Sequence, residues 1–177
     1  MSTFNLFVYG TLMRGFRANL NFIPSTCDML KGKITGNLYH YPAGYPMVEI
    51  FNDKEYVVGS FDYKRDIEEQ NKLNRVEPEC LPFNLNYGKI YGELYLIPYE
   101  EEIIRRLDYY EGFNPENEDH YTRTLVPVET EEGIIWGWVY NVLSIPKKCT
   151  RIYSGDWRDC FYSNRGGLRP ELTPKKY

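Results

Sequence analysis

The chain has 177 residues, with 21 Lys and Arg against 25 Asp and Glu and a formal net charge of −4. It therefore lacks the positive field that phosphate backbones require, and we expect no nucleic-acid partner. Hydrophobic residues make up 42% of the sequence, with 17 Tyr, 9 Phe and 3 Trp, which excludes a disordered chain and predicts one domain with a β-rich core.

We expect no targeting signal among the first residues of the sequence. No basic region precedes an apolar stretch, and Phe4 to Tyr9 is too short for a signal sequence or a membrane span. We therefore expect a cytoplasmic protein without a membrane partner.

The first third of the chain predicts four strands. Phe4 to Tyr9 is almost wholly apolar, which is typical of a strand covered on both faces, and Gly10 ends it. Leu30 to Tyr41 predicts a strand that bends at its internal glycines, followed by a stiff loop with two prolines. Met47 to Phe51 and Tyr56 to Phe61 predict two short strands paired as a hairpin.

The rest of the chain predicts further strands and one clear helix. Residues 62 to 86 are typical of a helix followed by a loop, or of an inserted flap. Tyr87 to Ile97 predicts a strand, and Tyr99 to Gly112 a helix that acidic residues open and glycine ends. Tyr121 to Glu129 and Ile134 to Val142 predict a hairpin. About six strands and one helix indicate an α+β domain built on a closed or curled sheet.

Glu111 falls on the apolar face of this predicted helix, at about 100° per residue. The apolar residues of the same arc are Ile103, Ile104, Leu107 and Tyr110. The negative end of the helix dipole and the apolar surroundings both disfavour a carboxylate, so we expect a raised pKa for Glu111, as suits proton transfer. Two alternatives are that the helix unwinds before residue 111 and that Glu111 pairs with Arg123.

Four short motifs occur in order along the chain. They are Val8–Leu12 (VYGTL), Gly92–Tyr95 (GELY), Leu107–Gly112 (LDYYEG) and Tyr121–Arg123 (YTR). Over about residues 4 to 142 this combination resembles the γ-glutamylcyclotransferase-like (AIG2-like) family. The resemblance implies a small mixed β-barrel with flanking helices as a single domain over residues 1–177, with an insertion at residues 59–86 and a C-terminal extension from residue 143.

The resemblance also implies a reaction, in which the γ-glutamyl group of a small γ-glutamyl amine or amino acid cyclises to 5-oxoproline and the amine is released. Glu111 matches the family's catalytic carboxylate, which takes a proton from the substrate ammonium and gives one to the departing nitrogen. The residues matched to substrate binding are Tyr9, Gly10, Thr11, Leu12, Tyr121 and Tyr140. Glycine at position 10 would let the substrate approach backbone N–H donors.

The reaction implied by the resemblance needs no metal and no other cofactor, and its partner is a small γ-glutamyl substrate. The protein would be a monomer or a homodimer. For each matched tyrosine, ordinary core packing is the other interpretation. Arg123 either anchors a substrate carboxylate or braces the helix end, and the brace is favoured.

Other function classes have weaker support. His40 and His120 are the two histidines of the sequence, and neither a nucleophile elbow nor metal-ligand spacing accompanies them. The four cysteines follow neither a disulfide nor a metal pattern, which predicts separate reduced thiols. The main alternative to an enzyme is a non-catalytic member of the same fold that binds a small ligand or has a regulatory role.

Overall fold

The computed structural model describes residues 2–51, 55–76, 85–117 and 121–162. The strands of these residues are β1 (Thr3–Val8), β2 (Asp28–Tyr41), β3 (Tyr45–Ile50), β4 (Val57–Val58), β5 (Gly88–Pro98), β6 (Thr122–Thr130), β7 (Gly133–Asn141) and β8 (Thr150–Ile152). The helices are α1 (Arg17–Phe22), α2 (Tyr63–Leu73), α3 (Glu101–Glu111) and α4 (Asp159–Tyr162). Cys80 and His120 lie outside the described residues.

Five strands close into a mixed β-barrel in the order β2, β5, β1, β7 and β6. Gly32 and Lys33 of β2 pair with Thr130 and Glu129 of β6 and so close the ring. β1 and β7 run parallel, whereas the other barrel neighbours are antiparallel. Strands β3 and β8 pair with β2 and β4 pairs with β6, outside the ring. The α+β barrel that the sequence predicts is therefore confirmed.

Gly32 lies where β2 and β6 meet to close the barrel. A Cβ at this position would stand 2.7 Å from Val128 Cγ1, closer than real Cβ atoms approach a neighbour. A strand with glycine at such a point can pass close to the strand that faces it. The curled sheet was predicted from the glycines of β2, and Gly32 does lie where two strands approach closely to close the barrel.

Helix α3 ends where its sequence predicts. Gly112 has φ of 70°, the left-handed conformation that glycine adopts without steric cost. The Phe113 N–H donates to the Asp108 carbonyl at 2.9 Å, which completes the cap. Because Glu111 is the last helical residue, the alternative in which the helix unwinds before it is wrong.

Helix α1 was not predicted, because its six residues give no clear periodicity. It packs beside α3: the ring of Phe22 lies 4.3 Å from that of Tyr110, measured between centroids. The guanidinium of Arg106 donates to the Asn21 carbonyl at 3.1 Å. These contacts hold the two helices together next to the end of β1.

The predicted hairpin between residues 47–51 and 56–61 is wrong. β3 instead forms a hairpin with β2 through a turn in which Gly44 has φ of 92°. β4 is only two residues long, and it pairs with Leu125 and Thr124 of β6. β3 therefore pairs with the strand that precedes it in the sequence, whereas β4 pairs with a strand far along the chain.

Helix α2 is part of the core rather than a surface flap. Its buried residues are Tyr63, Asp66, Ile67 and Gln70. The side chain of Gln70 accepts a hydrogen bond from the Asn5 N–H at 2.8 Å and donates to the Thr3 carbonyl at 2.8 Å, which ties α2 to β1. That residues 59–86 are inserted relative to the family stays a prediction, as does the C-terminal extension.

The segment after β7 returns to the barrel. β8 pairs with β2, and Gly155 makes a turn with φ of 73° that precedes the fully buried Trp157. Trp157 belongs to the hydrophobic core of the domain. Among the described residues, no helix is long and apolar enough to cross a membrane.

Candidate active site

A short loop follows β1 and carries the first motif. The Met13 N–H donates to the Gly10 carbonyl at 2.9 Å, which turns the chain back on itself. Among the described residues, the N–H groups of Gly10, Thr11 and Leu12 donate no backbone or side-chain hydrogen bond. The loop therefore has three N–H groups available to a ligand.

Glycine at position 10 has a structural reason that the sequence did not reveal. A Cβ there would stand 2.5 Å from Pro46 Cγ and 3.8 Å from the Trp157 ring. Contact with Pro46 of β3 therefore requires glycine whether or not a substrate approaches the backbone. The expected reason, close approach of a substrate, stays a prediction.

Side chains of β5 and α1 hold this loop in place. The Arg14 N–H donates to the Glu93 carboxylate at 2.6 Å, and the Tyr95 hydroxyl donates to the same oxygen at 2.9 Å. The side-chain amide of Asn19 donates to the Leu12 carbonyl at 2.7 Å and to the Tyr95 hydroxyl at 2.9 Å. The second motif, Gly92–Tyr95, thus supports the first.

A cavity of about 380 Å³, part of it open solvent, lies between this loop, β3, β7 and the end of α3. Its described lining residues are Phe7, Val8, Tyr9, Gly10, Thr11, Leu12, Tyr45, Pro46, Glu111 and Tyr140. Six of the seven predicted site residues are among them. Glu111 is half-buried at the edge where α3 ends.

Tyr121 is the predicted site residue that the cavity does not include among its described lining. Its hydroxyl donates to the carbonyl of Pro46 at 3.2 Å, and Pro46 itself lines the cavity. Tyr121 therefore contacts a residue that lines the cavity.

Tyr9 and Tyr140 are buried, and the hydroxyl group of each donates a hydrogen bond within the protein. The Tyr9 hydroxyl donates to the Tyr140 carbonyl at 2.6 Å, and the Tyr140 hydroxyl donates to Asp108 Oδ1 at 2.6 Å. Burial raises the pKa of Tyr9 well above its usual value, and the negative charge of Glu111 adds to this rise. Burial, then Asp108 and more weakly Glu111, raise the pKa of Tyr140 in the same way.

Tyr110 joins the end of α3 to the loop. Its hydroxyl and that of Thr11 are hydrogen bonded at 3.0 Å. Burial raises the pKa of Tyr110, whereas the bond to Thr11 opposes the rise and the charge of Glu111 adds to it. Consecutive residues of α3 therefore contact the loop and line the cavity.

Asp108 is the functional candidate that sequence reasoning missed. It is buried one helical turn before Glu111, and it accepts a hydrogen bond from the Arg123 guanidinium. Arg123 also donates to Asp66 at 2.6 Å and to the Ser60 carbonyl at 3.0 Å. Asp108 lies about 40° beyond Ile104 on the helical wheel, so the wheel places this second carboxylate next to the apolar arc, just outside it.

Arg123 braces α2 and α3 against β6, as favoured from the sequence, and the structure shows no pairing of it with Glu111. It is fully buried and contacts the rings of Phe4, Tyr63, Phe113 and Trp138. Burial acts to lower the pKa of Arg123, but the negative charges of the adjacent groups raise it overall. Burial raises the pKa of Asp108, and Arg123 opposes that rise. The guanidinium therefore stays charged between its two carboxylates.

No group of three or more His, Cys, Asp or Glu that could hold a metal ion occurs among the described residues. His40 lies on β2, away from the lining of the cavity. The three described cysteines, Cys27, Cys149 and Cys160, are free.

A family model described as gamma-glutamyl cyclotransferase, AIG2-like, matches residues 6–84 and 78–159. These two matches include the loop after β1, Glu93, Asp108, Glu111 and Arg123. A search of curated proteins found no match.

Solved structures of similar fold come from several organisms. An uncharacterized protein from Pyrococcus horikoshii is 18% identical with a TM-score of 0.51, over 91% of this chain and 95% of that one. YkqA from Bacillus subtilis is 26% identical with a TM-score of 0.54, over 92% of this chain and 44% of that one. An AIG2-like protein from Mus musculus is 20% identical with a TM-score of 0.44, over 89% of each chain.

Proposed function

Because the chain belongs to the gamma-glutamyl cyclotransferase, AIG2-like family, we propose that it is a γ-glutamylcyclotransferase-type enzyme. Its substrate is a small γ-glutamyl amine or amino acid, and its products are 5-oxoproline and the released amine. The observation that carries the proposal is the position of Glu111, half-buried in the wall of a cavity that the loop at Gly10–Leu12 also lines.

The cyclisation forms a bond between the α-nitrogen and the γ-carbonyl carbon and breaks the bond from that carbon to the departing nitrogen. The attacking nitrogen begins as an ammonium group and ends as a lactam N–H, so it loses two protons. The departing nitrogen gains two protons. Glu111 carries protons between the two nitrogens, acting first as a base and then as an acid.

The loop after β1 supplies hydrogen-bond donors in this proposal. The N–H groups of Gly10, Thr11 and Leu12 have no partner among the described residues, so they can receive the substrate carboxylate or the oxygen on which negative charge develops. Glu93 and Asn19 hold the loop from behind, which keeps these donors in place before the substrate arrives.

The function is tested by incubating the purified full chain with a panel of γ-glutamyl amines, dipeptides and glutathione and measuring release of 5-oxoproline. We expect at least one substrate to be cyclised. Glu111→Gln keeps the size of the side chain but removes its base, so we expect release to fall about 10²- to 10⁴-fold. Glu102→Gln changes an exposed carboxylate of the same helix and should retain wild-type activity.

Two results would contradict the proposal. Equal 5-oxoproline release by the wild type and by Glu111→Gln would show that Glu111 is not the acid–base group. Binding of γ-glutamyl compounds without any release would favour a non-catalytic, ligand-binding member of the fold.

A further inference from the structure

One side-chain hydrogen bond joins the loop after β1 to helix α3. The hydroxyl groups of Thr11 and Tyr110 lie 3.0 Å apart, although 99 positions separate the two residues in the sequence. Thr11 lines the cavity, and Tyr110 directly precedes Glu111, which lines it at the end of α3. The bond therefore connects the two parts of the cavity wall to which the proposed reaction assigns its hydrogen-bond donors and its acid–base group.

Thr11 and Leu12 are the two central residues of the turn that carries these donors, and a backbone hydrogen bond of 2.9 Å closes the turn. The side-chain amide of Asn19, on α1, donates to the Leu12 carbonyl at 2.7 Å. The hydroxyl of Tyr110, on α3, is bonded to the side chain of Thr11. Each central residue of the turn is thus held by a side chain of a different helix.

Contacts with α1 hold the ring of Tyr110 in place. Its centroid lies 4.3 Å from the centroid of the Phe22 ring. The guanidinium of Arg106 lies 5.8 Å from the centroid of the same Phe22 ring and donates to the Asn21 carbonyl at 3.1 Å, so α1 is bound to α3 beside Tyr110. A tyrosine side chain has only two rotatable angles, and a packed ring therefore fixes where its hydroxyl lies.

The proposed cyclisation requires the loop donors and Glu111 to act on one substrate at the same time. Groups that are oriented before the reaction lower its barrier, and a displacement of about 1 Å can cost about 100-fold in rate. Functional groups keep such a geometry when hydrogen bonds from neighbouring side chains support them. The bond between Tyr110 and Thr11 has the right position for this task, because it begins one residue before Glu111 and ends on the loop.

We infer that Tyr110 is a positioning residue of the proposed reaction: its hydroxyl, bonded to that of Thr11, holds the loop donors at a fixed distance from Glu111. The inference rests on the proposed function for its effect on the rate, whereas its effect on the loop is measured without turnover. Tyr110 acts through Thr11 and is assigned no contact with the reacting atoms.

The test removes the two hydroxyl groups of the full chain singly and together. Tyr110→Phe keeps the ring that packs on Phe22, and Thr11→Val keeps the shape of the threonine. With the best substrate of the γ-glutamyl panel, we expect each single variant to lower kcat/KM about 10- to 100-fold. The double variant should lose no more than the larger single loss, because one hydrogen bond can be removed only once.

Backbone amide relaxation by NMR tests the same bond without a substrate. In both single variants the order parameter of the Thr11 amide should fall from about 0.85, the value of a rigid backbone, towards the range below about 0.6 that is typical of a flexible one. Tyr109→Phe is the matched control, because Tyr109 is the neighbouring tyrosine of α3 and is 83% exposed. This control should keep the wild-type kcat/KM and the wild-type order parameters.

An unchanged order parameter of Thr11 in Tyr110→Phe overturns the inference. Losses of kcat/KM that add in the double variant also overturn it, because they would mean that the Thr11 hydroxyl binds the substrate directly. If Thr11→Val does not fold, Tyr110→Phe still decides the question. A more mobile loop in a chain that releases no 5-oxoproline would contradict the proposed function alone. Release that Glu111→Gln abolishes and Tyr110→Phe leaves unchanged would contradict the positioning role alone.

Discussion

Helix α3 carries two carboxylates on its inner side, three residues apart, in very different surroundings. Asp108 is 4% exposed and is held by Arg123, which also binds Asp66. Glu111 is half-buried and lines a cavity with tyrosine rings and a loop backbone. Asp108 is thus buried in an ion-pair network, whereas Glu111 lines a cavity that a small molecule can enter.

This difference shows that the partners of a carboxylate decide what it can do. A buried carboxylate against a guanidinium is retained as a structural charge, since removal of either partner leaves the other uncompensated. A carboxylate beside a cavity can exchange a proton with a ligand. Tyr140 connects the two regions, because its hydroxyl binds Asp108 and the residue also lines the cavity.

The largest effect on stability should come from removing the cation of the buried ion-pair network, Arg123. Arg123→Met leaves the carboxylates of Asp66 and Asp108 buried without their counter-charge, so we expect the free energy of unfolding to fall by about 3–5 kcal/mol. Urea denaturation measures this change. Arg105→Met removes the exposed ion pairs of Arg105 with Glu101 and Glu102 on α3 and should cost less than about 1 kcal/mol. Equal losses in the two variants would show that the buried network does not stabilise the fold.

A smaller effect should follow from disturbing the cavity wall. In Gly10→Ala the new Cβ would lie 2.5 Å from Pro46 Cγ, so Pro46 or the loop must shift, and we expect a loss of about 1–3 kcal/mol in the free energy of unfolding. In Gly88→Ala the nearest atom to the new Cβ is the Gly36 carbonyl oxygen at 3.8 Å. That control should lose clearly less stability than Gly10→Ala. A larger loss in Gly88→Ala than in Gly10→Ala would mean that Pro46 or the loop shifts at little cost in free energy.

Local patterns predicted much of this fold. The apolar run of β1, the alternation of β5 and the acid-to-glycine pattern of α3 each specify their own element, and the bounds lie within two residues of those observed. The hairpin of β6 and β7 was predicted from its turn and is confirmed by the pairing of Thr130 with Gly133. Elements set by local periodicity can be read from one sequence.

Long-range pairing could not be read in this way. β4 joins β6, and α2 is ordered by contacts of Asp66 and Gln70 with residues far away in the sequence. For the site, the helical wheel and the motifs predicted a role for Glu111. They did not predict the burial of Asp108, because that burial depends on Arg123 of β6. The roles assigned to the site residues stay predictions until ligands are tested.

Another tyrosine and carboxylate, Tyr95 and Glu93, lie beside the loop that follows β1. The Tyr95 hydroxyl donates to Glu93, and burial, with the charge of Glu93, raises the pKa of Tyr95 to about 12. Below pH 10 this phenol is protonated in both the folded and the unfolded chain. Between about pH 10 and 12 the unfolded chain loses the proton while the folded chain keeps it, so stability falls as pH rises.

Tyr95→Phe removes this titration. Between pH 9 and pH 11 we expect the variant to lose about 1 kcal/mol less of its free energy of unfolding than the wild type does, whatever its stability at pH 9. Tyr109→Phe is the matched control, because Tyr109 is 83% exposed and remains in water in both states. An identical loss in all three proteins would mean that Glu93 and burial do not hold the Tyr95 proton.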